Sequence, residues 1–116
     1  MTARYQSTAR DCLTKAQEEL SHGDLLQASE KGWGAAAQTV KAAAAARGWS
    51  HRSHGQLFDG ARRLAEEAGD DRIRELFSAA SALHQNFYEN WWTQDSVAGG
   101  LRDVEELMRR VAPLIA

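Results

Sequence analysis

A chain of 116 residues with 43% hydrophobic and 26% charged side chains can bury a core of its own and lies far from the composition of disorder. Its 14 Lys and Arg against 16 Asp and Glu give a formal charge of -2, which excludes general electrostatic capture of DNA. No apolar run reaches the roughly 18 residues of a membrane span, and the polar N-terminus lacks a signal-peptide core, so residues 1–116 are read as a single cytoplasmic domain.

From Ala3 to Leu20 the residues Tyr5, Ala9, Cys12, Leu13, Ala16 and Leu20 recur at helical spacing with polar residues between them. Cys12 is the only cysteine and lies on that stripe, so it reads as a small core residue. His22 and Gly23 supply a stop. Asp24, with Gln27 three places on, forms a capping-box pattern that opens a second helix from Leu25 to about Arg47. This helix is dense in alanine, with Gly32 and Gly34 flanking Trp33, which predicts a surface against which other helices pack closely. Gly48 is its expected terminator.

Ser53 and Gln56 repeat the capping-box spacing ahead of a shorter helix that ends near Gly69. Asp70 and Asp71 open a fourth, whose stripe Ile73, Leu76, Phe77, Ala80, Leu83 and Phe87 runs on to Trp91 and Trp92. After the polar break at residues 93–96, Asp95 or Ser96 is the expected cap of a last helix. Its apolar positions alternate by three and four, and Pro113 is expected to disrupt its final turn. The short connections predict antiparallel neighbours, hence an all-α, antiparallel four-helix bundle with one additional short helix.

The turn Arg47–His54 gathers Arg47, Trp49, His51, Arg52 and His54, and residues 41–63 carry five Lys or Arg against Asp59 alone. A local balance of +4 beside a helix N-terminus suits a phosphate-bearing ligand. The competing structural reading gives Arg47 to the helix C-terminal dipole and Trp49 to the bundle end. His84 joins the candidates from within an aromatic run, with Tyr88 four residues on as its neighbour on the same face. A hydrogen bond from His84 to a neighbouring helix is the plainer reading of that residue. His51 and His54 are three apart, but no Cys pair, HExxH or paired Glu-x-x-His accompanies them, so no metal or other cofactor is expected. Adjacent Trp91 and Trp92 point about 100° apart on a helix, so one leaves the core and marks an interface, with a homodimer expected.

The run GDLLQASEKGWGAAA, the turn RGWSHRSH and the segment LHQNFYE, followed by the terminal amphipathic helix, resemble the PaREP family of small archaeal helical proteins in the HEPN superfamily. The resemblance spans about residues 10–112. It implies a helical bundle, often dimeric, in a superfamily of RNA-cleaving toxins, nucleotide-binding partners of nucleotidyltransferases and members without known activity. Catalytic HEPN members place four to six residues between an Arg and a His, and Arg47 and His54 have six between them. That motif belongs later in the bundle, where His84 is preceded by Phe77, Ser78 and Ala79 rather than Arg.

Two functions follow as expectations. The first is a noncatalytic module, a homodimer, in which Arg47, Trp49, His51, Arg52, His54, His84 and Tyr88 engage a nucleotide or other phosphate-bearing ligand, RNA or a nucleotidyltransferase partner. The alternative is a metal-independent, toxin-like endoribonuclease in which His54 moves the proton of the 2'-hydroxyl and Arg47 stabilises the phosphorane.

Overall fold

The computed structural model describes residues 1–115 and holds five helices: α1 (Thr2–Ser21), α2 (Leu25–Arg47), α3 (His54–Ala68), α4 (Arg72–Glu89) and α5 (Gln94–Ile115). The fold is all-α, with no strand among the described residues. At 1.5 Å per residue the 23 residues of α2 extend about 34 Å, close to the 37 Å long axis of the molecule. This helix is the centre of the fold, because the other four pack on it.

Alanine density follows from that position. Ala28, Ala35, Ala36, Ala42, Ala43 and Ala44 are all fully or nearly fully buried, on several sides of one helix, where large side chains would hold the neighbours apart. The glycine flanks of Trp33 behave as expected. A Cβ on Gly32 would lie 2.5 Å from Leu101 Cδ2 and 3.1 Å from Leu83 Cδ1, so α5 and α4 approach α2 there; Gly34 faces Cys12 Sγ of α1 at 3.5 Å. Gly100 repeats the device between α5 and α4, its Cβ position 2.7 Å from Leu83 Cδ2.

Helix ends follow local chemistry, with corrections. Asp24 accepts from the Gln27 amide at 3.0 Å, but its own N–H donates to the Glu19 carbonyl at 2.9 Å, which replaces the reciprocal arm of a box. Ser53 and Gln56 form the full capping box. Gly48 ends α2 with φ 71, a left-handed conformation that costs glycine least. Asp70, rather than Asp71, caps the first turn of α4 by accepting from Arg72 N at 3.1 Å. At α5 the cap is Thr93, whose Oγ1 accepts from Ser96 N at 3.2 Å, in place of Asp95 or Ser96. Pro113 does not interrupt α5, which continues to Ile115. The missing amide bond falls in the last turn, beneath exposed Arg109, where water can serve the freed carbonyl.

The expectation of antiparallel sequence neighbours fails between α2 and α3. Pairs joining them advance in the same direction: Trp33 with His54, Val40 with Gly60, and Arg47 with Glu67. Thus α3 runs parallel to α2. The six residues from Gly48 to Ser53 carry the chain back along α2, an extended span of about 20 Å that matches the rise of the fourteen helical steps from Trp33 to Arg47.

Candidate functional site

The reversal at residues 48–53 disperses the turn that the sequence presents as a cluster. Arg47 stays at the far end of α2, where its Nε donates to Glu67 Oε1 at 2.9 Å and Nη2 pairs with Glu67 Oε2. That hydrogen bonding holds the guanidinium charged and draws the Glu67 carboxyl below its ordinary value. Trp49 lies beneath two cations, with Arg63 3.9 Å and Arg47 5.6 Å from its ring centroid. It covers the bundle end and packs on the core.

His51 turns the other way, toward α1. Its Nδ1–H donates to the Trp49 carbonyl at 3.0 Å, and Tyr5 Oη lies 3.3 Å from Nε2. The carbonyl fixes the tautomer, leaving Nε2 to accept from Tyr5. Arg52 is exposed, and its amide donates to the Gln56 side chain at 2.7 Å. The expected cationic patch is also reduced. Glu67 and Glu66, both outside residues 41–63, neutralise Arg47 and Arg62, and Asp59 binds Arg62 a second time.

His54 instead meets residues distant in sequence. Its ring sits edge-on to Trp33 at 5.5 Å and to His84 at 5.3 Å between centroids. His84 lies against Trp33 at 5.5 Å and against Tyr88 at 5.3 Å, the i+4 neighbour expected from the sequence. Its Nδ1–H donates to Glu30 Oε1 at 2.8 Å, so a carboxylate orients the imidazole as the plainer reading of His84 anticipates. Among the described residues, His84 Nε2 and both ring nitrogens of His54 have no hydrogen-bond partner, and Tyr88 is 72% exposed. The result is a surface of two imidazoles and a phenol backed by a buried indole.

Arg47 and His54 therefore do not meet. His54 begins α3 and Arg47 binds Glu67, thirteen residues farther along it, a separation of about 20 Å by helical rise. A concavity of about 460 Å³ along the first ten residues of α3 is lined by Ser50, Ser53, Gly55, Gln56, Asp59 and Arg63. Among the described residues no group of three His, Cys, Asp or Glu side chains is placed to hold a metal ion.

Sequence reasoning missed Glu30. The signal was available: it stands three residues before Trp33, hence on the same face of α2. Tyr5 and Glu67 were also missed as partners of His51 and Arg47, because both contacts depend on helix packing.

A small all-α protein with a central alanine-rich helix and a paired-histidine surface is the class these observations define. The chain belongs to the archaeal PaREP1/PaREP8 family, which it matches over residues 4–108. It is also similar to a Sulfolobus solfataricus protein of known crystal structure, with 24% identity, a TM-score of 0.84, and coverage of 94% of this chain and 97% of that one. At that identity the likeness speaks to the fold. No curated protein matches the chain. Among the described residues no helix is long and apolar enough to cross a membrane.

Proposed function

We propose that this protein is a noncatalytic, homodimeric ligand-binding module of HEPN type, in which α1, α2, α4 and α5 form an antiparallel four-helix bundle and α3 is appended. Its ligand class is phosphate-bearing and aromatic, a nucleotide. One observation carries the reading: His54 and His84, thirty residues apart, present their free ring nitrogens together at the surface, with exposed Tyr88 beside them. His54 has a ring N–H free to donate to a phosphate oxygen, and His84, whose Nδ1–H is committed to Glu30, donates from Nε2 in its imidazolium form; the start of α3 adds positive potential, and Tyr88 offers a face for a base. Glu30 and Trp33 hold His84 in place, so little ordering is required on binding.

Titration with adenosine monophosphate and with inorganic phosphate, followed by the histidine ring signals in NMR, tests this. The expected result is that His54 and His84 move together while His51 does not, and that His54→Ala weakens binding at least about tenfold, the scale of one lost charge-assisted hydrogen bond. Unmoved His54 and His84 signals with phosphate, nucleotide and RNA would remove the ligand and leave a protein partner. The ribonuclease alternative built on Arg47 and His54 finds no support in a geometry that puts them at opposite ends of α3. Cleavage of a mixed RNA pool by the folded protein, abolished by Arg47→Ala, would restore it.

A further inference from the structure

The α4–α5 face carries a groove remote from the paired histidines, with a volume of about 620 Å³. Its floor is made of small residues, Ala79 and Ala82 from α4 and Gly99 from α5, and Trp91 stands at its end. Trp91 is 69% exposed, yet it is not a loose terminus. The fully buried Asn86 accepts from the backbone N–H of Trp91 at 3.1 Å and of Trp92 at 3.0 Å, and the Trp91 indole N–H donates to Glu89 at 2.8 Å. A core side chain thus fixes the backbone that presents a large apolar ring to water.

The same groove holds two charges of opposite sign, on adjacent residues, that have no ion-pair partner among the described residues. Arg102 and Asp103 both line it, and neither makes an ion pair among the described residues, whereas Arg47, Arg62, Arg72 and Arg110 all do. The Arg102 guanidinium lies over Gly99, 3.6 Å from where a Cβ would stand. One surface therefore contains a knob, a shallow hole, a cation and an anion.

We propose that this groove is the interface with a second copy of the same chain, related by a two-fold axis through the α4–α5 face. The inference rests on the homodimer reading above and assigns its surface. Under a two-fold operation each contact occurs twice, residue i to j and j to i, so a surface with both halves of a complementary pair fits itself. Arg102 of each copy then meets Asp103 of the other, and each Trp91 enters the glycine and alanine floor opposite. The indoles contribute about 150–250 Å² apiece, and the small floor lets α4 and α5 of both copies close on one another toward the roughly 800 Å² per partner of a stable interface.

Sedimentation velocity on the full chain across the micromolar range tests the proposal. The wild type is expected to sediment as a dimer; Trp91→Ala raises the dissociation constant at least about tenfold, the behaviour of a central aromatic anchor. Arg102→Asp alone weakens the dimer, and adding Asp103→Arg restores it, because the exchange rebuilds both pairs with reversed sign. Circular dichroism confirms that each surface variant retains its helices. A monomeric wild type would overturn the homodimer reading and this inference together. A wild-type dimer indifferent to Trp91→Ala and to Arg102→Asp would leave that reading standing and overturn this surface alone, as would weakening by Arg102→Asp that the exchange fails to reverse.

Discussion

Asn86 on α4 donates through Nδ2 to Ser29 Oγ on α2 at 2.9 Å, and both residues are fully or nearly fully buried. The Ser29 hydroxyl donates to the Leu25 carbonyl at 2.7 Å, while Asn86 Oδ1 accepts from the amides of Trp91 and Trp92. One side chain thereby ties the α4–α5 connection to the central helix. Asn86→Ala removes two acceptor bonds and one donor bond, stranding the Trp91 and Trp92 amides and leaving the Ser29 hydroxyl with only its bond to Leu25. The expected loss is about 2–4 kcal/mol, larger than a typical single truncation because several groups are stranded at once. Urea unfolding measures it, and a change in Trp91 emission in the folded variant reports the freed turn. A loss below about 1 kcal/mol would contradict this account.

Gly32 and Gly34 stand either side of Trp33 and predict opposite responses to the same substitution. Gly32→Ala puts a methyl 2.5 Å from Leu101 and 3.1 Å from Leu83, so two core side chains must shift, at a cost of about 1–3 kcal/mol. Gly34→Ala meets only Cys12 Sγ at 3.5 Å, an ordinary contact, and gains the helix propensity of alanine, about 0.8–1 kcal/mol. Thermal unfolding of the two variants should move in opposite directions. A common direction would mean that α5 is not held against Gly32.

The five helices were legible because each stripe recurs at helical period and polar caps punctuate it; the Ser53–Gln56 box is a wholly local device and formed as read. The Trp33 surface was legible for a similar reason, since neighbouring small residues carry their own packing consequence. The direction of α3 was not, because a six-residue connection can be a tight turn or an extended return, and nothing in its composition distinguishes them. That one ambiguity explains why Arg47 and His54, separated by six residues, were expected to share a site. An extended chain carries sequence neighbours apart as readily as a turn unites them. The meeting of His54 with His84, and of Arg47 with Glu67, depends on that return path.

Ser53 links local folding to the paired histidines. Its Oγ accepts from Gln56 N at 3.1 Å, and the Gln56 side chain accepts from the Arg52 and Ser53 amides, fixing the backbone immediately before His54. Ser53→Ala is expected to cost about 1 kcal/mol in urea unfolding, the usual penalty for a lost N-cap. His54 then loses order against His84, so the two ring signals should broaden while those of His51, held by Trp49 and Tyr5, stay sharp. Equal broadening of all three would mean that the cap supports the whole connection.

Glu67 makes the Arg47 contact dependent on pH. The hydrogen bond from Arg47 lowers the Glu67 carboxyl below its ordinary value of 4.5; desolvation opposes it less strongly, and the Arg47 charge adds a smaller lowering. A carboxyl with a depressed folded value binds its proton more readily in the unfolded chain. Stability from the pair is therefore complete above 4.5 and disappears as pH falls through the lower folded value. Glu67→Gln should unfold at lower urea concentration than the wild type at neutral pH, and the two midpoints should converge as acid protonates Glu67. Salt should narrow the neutral-pH gap, because the pair stands at the surface. The same titration separates two roles for Arg47. With Arg47 about 20 Å from His54 by helical rise, Glu67→Gln is expected to leave the nucleotide response of His54 and His84 unchanged, and a changed response would contradict a purely structural clamp between α2 and α3.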